Sequence, residues 1–139
     1  MIPDKLFKSL EHTYNGFKFY LNGQYLESGY KPDYVLKNGN KYIIIESENS
    51  SSRKTFVGGM IKAAHFLQQE KKGMLIFVIV PKKNTTASSI SIHLKPYFKW
   101  IKANTNLTSV FVIEANSYYK NKKVMDLGGS DFKKYSLKV

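Results

Sequence analysis

The chain has no cysteine, which excludes disulfides, thiolate zinc sites and cysteine nucleophiles at once. It has no apolar run approaching the roughly 20 residues that span a bilayer. The longest, Met74 to Val80, suits a buried strand. The stretch Met1 to Lys5 lacks the apolar core of a secretory signal, so a cytoplasmic location is the expectation. Acidic residues are scarce too: ten, against 22 lysines and arginines, for a net charge of +12 at pH 7. On a small domain such an excess creates a field that attracts polyanions, and nucleic acid is the expected partner. A lysine-rich solubilising surface would give the same count. The lysines are spread along the chain instead of forming one basic amphipathic helix, which speaks against a membrane role. No P-loop or dinucleotide fingerprint is present, and no organic cofactor is expected.

What is there reads as one domain over residues 1–139, with a basic, aromatic tail from about 115 to 139. Leu6, Leu10 and Tyr14 are spaced four apart, predicting a first helix over Asp4 to Tyr14 that stops at Asn15-Gly16. Phe17 to Leu21 alternates like a strand, and a second short strand is expected near Gln24 to Leu26. Pro32-Asp33 opens a strand through Leu36, Asn38-Gly39-Asn40 turns it, and Lys41 to Glu48 returns. Ser50 to Ser52 supply a loop and helix cap, and a helix over Arg53 to Glu70 places Phe56, Met60, Ala63, Ala64 and Leu67 on one face. Lys71-Lys72-Gly73 should stop it. Met74 to Val80 is a candidate central strand. Ile90, Leu94, Phe98 and Ile101 have helical spacing, while Ser89 to Leu94 also alternates like a strand. A helix over about Leu94 to Ala103, with an earlier start left open, is favoured because Pro96 suits a first turn, and Leu107 to Ile113 follows as a strand. The order is α-β-(β)-β-β-α-β-α-β.

In so basic a chain, two glutamates one residue apart at the end of an isoleucine run need a reason. Strand alternation points Glu46 and Glu48 to one face, shared with Ile44. Two like charges held there repel each other and resist desolvation. A cation between them relieves both costs, and oxygen ligands suit Mg2+ or Mn2+. If Gly39-Asn40 form the loop, Asp33 lies opposite Glu46 and three carboxylates converge at the open end of the hairpin. An Asn38-Gly39 loop would place Asp33 opposite Ile44 instead. Surface ion pairs of these acids with Arg53 or Lys54 are the bland alternative.

Pro32-Asp33, twelve residues, then Glu46-Ser47-Glu48 resembles the PD-(D/E)xK nuclease superfamily, which includes restriction endonucleases and Holliday-junction resolvases. The element order from Asp4 to Glu114 resembles it as well. The resemblance implies an α/β fold of restriction-endonuclease type, a mixed central sheet flanked by helices with an αβββαβ core. It makes Asp33 and Glu46 the primary metal ligands. The superfamily usually carries lysine at the position of Glu48; some restriction endonucleases have a second glutamate there, and this sequence resembles that variant. Glu48 is then the candidate general base or a further metal ligand, with Lys54 or Lys62 as stand-ins for the lysine. Members often supply another acid from the first helix, which makes Glu11 a fourth candidate ligand, although a solvated surface carboxylate would look the same.

Lys54, Gly58, Lys62 and His65 share one helix face that could lie against phosphates, Gly58 permitting close approach; a basic solvent face is the plainer reading. Arg53, Lys54, Lys62, Lys120, Lys122 and Lys123 are the candidate DNA contacts, the last three with Tyr118, Tyr119, Lys133, Lys134 and Tyr135 in a tail that could grip backbone or stack on bases. A flexible or dimer-packing tail would read alike. His12, His65 and His93 are too scattered for a metal trio, and Ser50, Ser51 and Ser52 lack a nucleophile-elbow context. The expected function is a metal-dependent DNA endonuclease, restriction-type first and junction-resolving or phage-type recombination nuclease second, acting as a homodimer. A DNA-binding module that keeps the fold without catalysis is the rival.

Overall fold

The computed structural model describes every residue from Met1 to Val139. From the N-terminus the elements are α1 (Asp4–Ser9), β1 (Lys18–Leu21), β2 (Tyr34–Asn38), β3 (Lys41–Glu48), α2 (Arg53–Phe66) and β4 (Lys72–Ile79). There follow α3 (Ala87–Asn104), β5 (Leu107–Glu114), α4 (Ala115–Tyr118), β6 (Tyr119–Lys120), β7 (Lys123–Val124), α5 (Ser130–Tyr135) and β8 (Leu137–Lys138). The first six run α-β-β-β-α-β, the expected core order. One mixed sheet of order β1-β2-β3-β4-β5-β8 carries the fold, and β6-β7 form a separate small hairpin. β1, β2 and β3 are antiparallel, β3, β4 and β5 parallel, and β8 closes the far edge antiparallel to β5. The chain is therefore an α/β protein with helices on both faces of the sheet.

Strands covered on both faces must be apolar on both faces, and the central strands are. Ile44, Leu75, Phe77, Ile79, Val110 and Val112 pack with α2 and α3. Ile43, Ile45, Ile76, Val78 and Ile113 face the other way, toward Phe7 of α1, Tyr118 of α4 and Phe132 of α5. The five residues expected to line the buried face of α2 are all buried.

Several boundaries move, each for a local reason. The first helix ends at Ser9, not Tyr14, because His12 enters the core. Its Nε2 sits 2.8 Å from the Phe7 carbonyl oxygen and its Nδ1 2.6 Å from the Tyr118 hydroxyl. The side chain thus takes a carbonyl that another helical turn would have used. Phe7 is the residue of α1 that is fully buried, and Leu6 is exposed. No strand forms at Gln24 to Leu26; the loop closes on an isolated bridge between Glu27 and Tyr30. α2 stops at Phe66, short of Glu70, and Gly73 is no helix stop. It lies in β4, where an added Cβ would meet the Tyr42 carbonyl oxygen at 2.1 Å. α3 starts at Ala87, the earlier start that the spacing of Ile90 with Leu94 left open, under a capping box of Thr86 and Ser89. Pro96 lies inside it and on its exposed side, so the carbonyl it frees can turn to solvent. The tail is neither loose nor apart: Tyr118, Leu127 and Phe132 are buried, and Leu137 pairs with Val112.

Candidate functional site

Gly39, with φ at +58°, and Asn40 make the hairpin loop, and Tyr34 pairs with Ile45. The register that places Asp33 opposite Glu46 is the one that forms. Beyond that last ladder pair, side chains replace backbone carbonyls. The Asp33 N–H donates to Glu46 Oε1 at 3.0 Å, and the Ser47 N–H donates to Asp33 Oδ2 at 2.8 Å. Each carboxylate so caps the opposite strand and keeps one oxygen in reserve. Asp33 Oδ1 lies 3.9 Å from Lys8 Nζ, and Glu46 Oε2 lies at a long 3.5 Å from the Tyr30 hydroxyl, which points at it as donor.

Burial and charge make this pair unusual. Desolvation, then Asp33, then Glu48 raise the Glu46 pKa to about 8, against the smaller opposing effects of its hydrogen bonds. Asp33 is raised as well, first by burial, although the Ser47 N–H and Lys8 pull it back. Near neutrality the pair binds a proton that ordinary carboxylates would not hold, and a cation could take that proton's place.

Three carboxylates do not converge, which corrects the expectation. No group of three or more His, Cys, Asp or Glu side chains stands at metal-holding spacing. Glu48 does lie two residues further along β3, and its charge is felt at Glu46. Its Oε1, however, accepts the Ser50 N–H at 2.9 Å, so the side chain is used to cap the loop before α2. Beside it opens a hollow of about 340 Å³ lined by Asp4, Ser47, Glu48 and Asn49 with Met1 to Pro3 and Val80. Neither Asp33 nor Glu46 lines that hollow, but each keeps one oxygen without a short hydrogen bond, a donor set that fits Mg2+ or Mn2+, which take one or two protein carboxylates and keep several waters. The two carboxylates do not form a dedicated cage.

The other candidates scatter. Glu11 lies exposed beyond the end of α1, and its charge bears on Tyr34 instead of the acid pair. From α1 it is Asp4 and Lys8 that act on Asp33. Lys62 donates to the Gly29 carbonyl at 3.2 Å, and His65 Nδ1 contacts Glu27 at 2.8 Å, so neither points at the acids. Arg53 is absorbed in tying loops together, donating to the carbonyls of Ser51 and Asn84 and to Thr85 Oγ1. Lys54 and Gly58 line an open hollow of about 630 Å³ between α2 and α3. Lys120, Lys122 and Lys123 are exposed around the β6-β7 turn, where Asn121 and Lys122 take positive φ, and Lys120 lies over the Tyr135 ring.

Two residues at the acid pair escaped the sequence reading. Lys8 donates to Asp4 Oδ2 at 3.0 Å while standing beside Asp33, and its pKa is raised, chiefly by the Asp4 bond. Tyr30 is buried, with its hydroxyl directed to Glu46 and its pKa raised by burial and that charge. Lys8 follows Asp4 at helical spacing, but only the tertiary fold brings that helix to the hairpin's open end.

No protein-family model and no curated protein sequence matches the chain. Among solved structures, that of SfsA from Pyrococcus furiosus in complex with Ca2+ is similar at a TM-score of 0.39 and 14% sequence identity. The match covers 89% of this chain and 53% of that one, so the chain spans about half the length of that structure. At this level the likeness carries neither activity nor ligand from one protein to the other.

Proposed function

We propose that the chain is a metal-dependent DNA endonuclease, with Asp33 and Glu46 as the ligands of a divalent cation. The carrying observation is the facing acid pair at the mouth of the hairpin, with Glu46 forced to a pKa of about 8 in a chain of net charge +12. When bound, Mg2+ or Mn2+ would lower the pKa of water and offset charge that develops on a scissile phosphate. The chain's own part is positioning. Asp33 Oδ1 and Glu46 Oε2 are the oxygens without a short hydrogen bond. Glu48, with one oxygen spent on Ser50, has the other to accept a proton from the attacking water. Lys8 Nζ, already beside Asp33, is the cation placed to face a phosphate oxygen, taking the part expected of Lys54 or Lys62. Cutting both strands of a duplex needs two such sites, so the active form is proposed to be a homodimer. Restriction-type cleavage ranks before junction resolution because of the second glutamate.

One observation favours the non-catalytic alternative. The carboxylates already serve as reciprocal strand caps, and Glu48 as a loop cap, which a pure binding module would also need. Incubation with supercoiled plasmid and with a four-way junction, in Mg2+, Mn2+ or EDTA, separates the two. Metal-dependent cutting that Glu46→Ala abolishes is expected, and the substrate cut tells restriction from resolution. DNA binding without cutting in any metal would leave the binding module.

A further inference from the structure

On the outer side of the sheet, α2 and α3 pack against each other and leave a groove between them. Its floor and walls are apolar and aromatic: Val57, Ile61, Pro96, Tyr97, Trp100 and Ile101. Large apolar side chains normally avoid water in such numbers, yet Trp100 is 65% exposed, Tyr97 47% and Ile61 46%. At one end the groove widens into the hollow bounded by Arg53, Lys54, Gly58 and His93, whose volume of about 630 Å³ is that of a small-ligand pocket. An added Cβ at Gly58 would meet nothing within 4 Å, so the backbone there is open to whatever enters.

Charge selects the occupant. Neither helix contains an acidic residue, while α2 carries Arg53, Lys54 and Lys62 and α3 carries Lys95, Lys99 and Lys102. The chain's ion pairs, Lys8 with Asp4 and Asp33 and His65 with Glu27, leave every lysine of the two helices without a carboxylate. A second copy seated here would bring these cations against their own duplicates, which like-charge repulsion opposes. A polyanion that also offers flat apolar faces meets both features. A duplex presents its base faces only to each other, whereas an unpaired strand presents them to aromatic side chains.

We propose that the α2–α3 groove binds an unpaired nucleic-acid strand, with bases stacked on Trp100 and Tyr97 and phosphate held by Lys54. The proposal extends the nuclease reading to a second surface and shares its premise that the partner is nucleic acid. It gives the enzyme a hold on single-stranded segments, such as those at junctions or frayed ends, apart from the acid pair.

Trp100 is the chain's single tryptophan, so its emission reports the groove directly. Titration with an oligothymidylate of about 20 nucleotides, a length that spans one or more site sizes of single-strand binders, is done in EDTA so that cleavage does not intervene. The strand should quench Trp100, and a duplex of equal length should quench it far less. Trp100→Ala and Tyr97→Ala, at exposed positions, should each weaken binding of a labelled strand roughly 5- to 100-fold, with the circular dichroism spectrum unchanged. Lys54→Glu should weaken it with a reduced salt dependence. Saturating binding with no quenching, or unchanged affinity in both aromatic variants, would overturn the proposal. So would a dimer in sedimentation that Trp100→Ala dissociates while strand affinity stays constant, since the groove would then be a self-association face. Quenching with no cutting in any metal removes the nuclease reading alone; cutting with no quenching removes the groove alone.

Discussion

Glu46 concentrates the chemistry at the scale of single residues, and its proton gives the first prediction. Its carboxyl has a pKa of 4.5 when unperturbed and about 8 in the fold. Between those values the folded chain holds a proton that the unfolded chain has lost, so stability falls as pH rises through that window. His12 acts in the opposite sense: burial lowers its pKa from 6.5 to about 4, so its contribution is lost as pH falls through that range. The two oppose each other at acidic pH, and above pH 6.5 His12 no longer contributes and the raised acid pair of Glu46 and Asp33 sets the trend. In EDTA the unfolding free energy should therefore fall between pH 6.5 and 8, at up to about 1.4 kcal/mol per pH unit, the melting temperature should drop with it, and Glu46→Gln should flatten the drop. Lys8→Met, which leaves the acids in place, should cut cleavage on the order of 10²-fold with DNA affinity little changed; a rate within twofold of wild type would remove Lys8 from the site. The facing of Asp33 and Glu46 was legible in the sequence because a two-residue turn fixes hairpin register. The turning of Glu48 to Ser50 was not, since a side chain's choice between an ion and a loop N–H depends on packing.

Among the elements, α2 was the most legible, because Phe56, Met60, Ala63 and Ala64 follow one helical stripe. Its adjacent glycines now separate into two roles. Gly58 faces open space, while a Cβ at Gly59 would come within 3.1 Å of the Phe77 ring. That ring cannot easily yield, being buried and held edge-on by Phe56 at 5.1 Å between centroids. Gly58→Ala should raise stability by up to about 1 kcal/mol from helix propensity. Gly59→Ala should lower it, overpacking at roughly 1–3 kcal/mol outweighing the same gain; equal melting temperatures for the two variants would refute this packing. α1 and α3 were misjudged for opposite reasons. In α1 the spacing of Leu6, Leu10 and Tyr14 imitated a helix whose continuation gives way to a buried histidine. In α3 the proline was read as a start, although solvent on its side lets a helix run through it.

The whole molecule is a sheet whose second face is finished by its last 25 residues, 115 to 139. Sequence periodicity could not find them, for they are short pieces whose apolar residues match the sheet instead of one another. Tyr118, Leu127 and Phe132 are all buried in the cluster on that face. At roughly 1.5–3 kcal/mol for each large side chain, their loss rivals the 5–15 kcal/mol that typically holds a domain together. A chain ending at Glu114 should therefore lack a cooperative thermal transition and near-ultraviolet dichroism. A sharp melt in that truncation would mean that the tail is an appendage. Charge is uneven at the same scale: α2 and α3 themselves contain no acidic residue, while Asp33, Glu46, Glu48 and Glu114 sit at strand ends and accept backbone N–H groups.

Calorimetric titration of Mn2+ at pH 7, in two buffers of different ionisation enthalpy, tests the central claim most directly. The acid pair should bind the ion with release of a proton, more tightly as pH rises toward 8, and Asp33→Asn should abolish the heat while the protein stays folded. No binding in wild type, together with a more stable Asp33→Asn variant, would mean that Asp33 and Glu46 are strand caps and not a metal site.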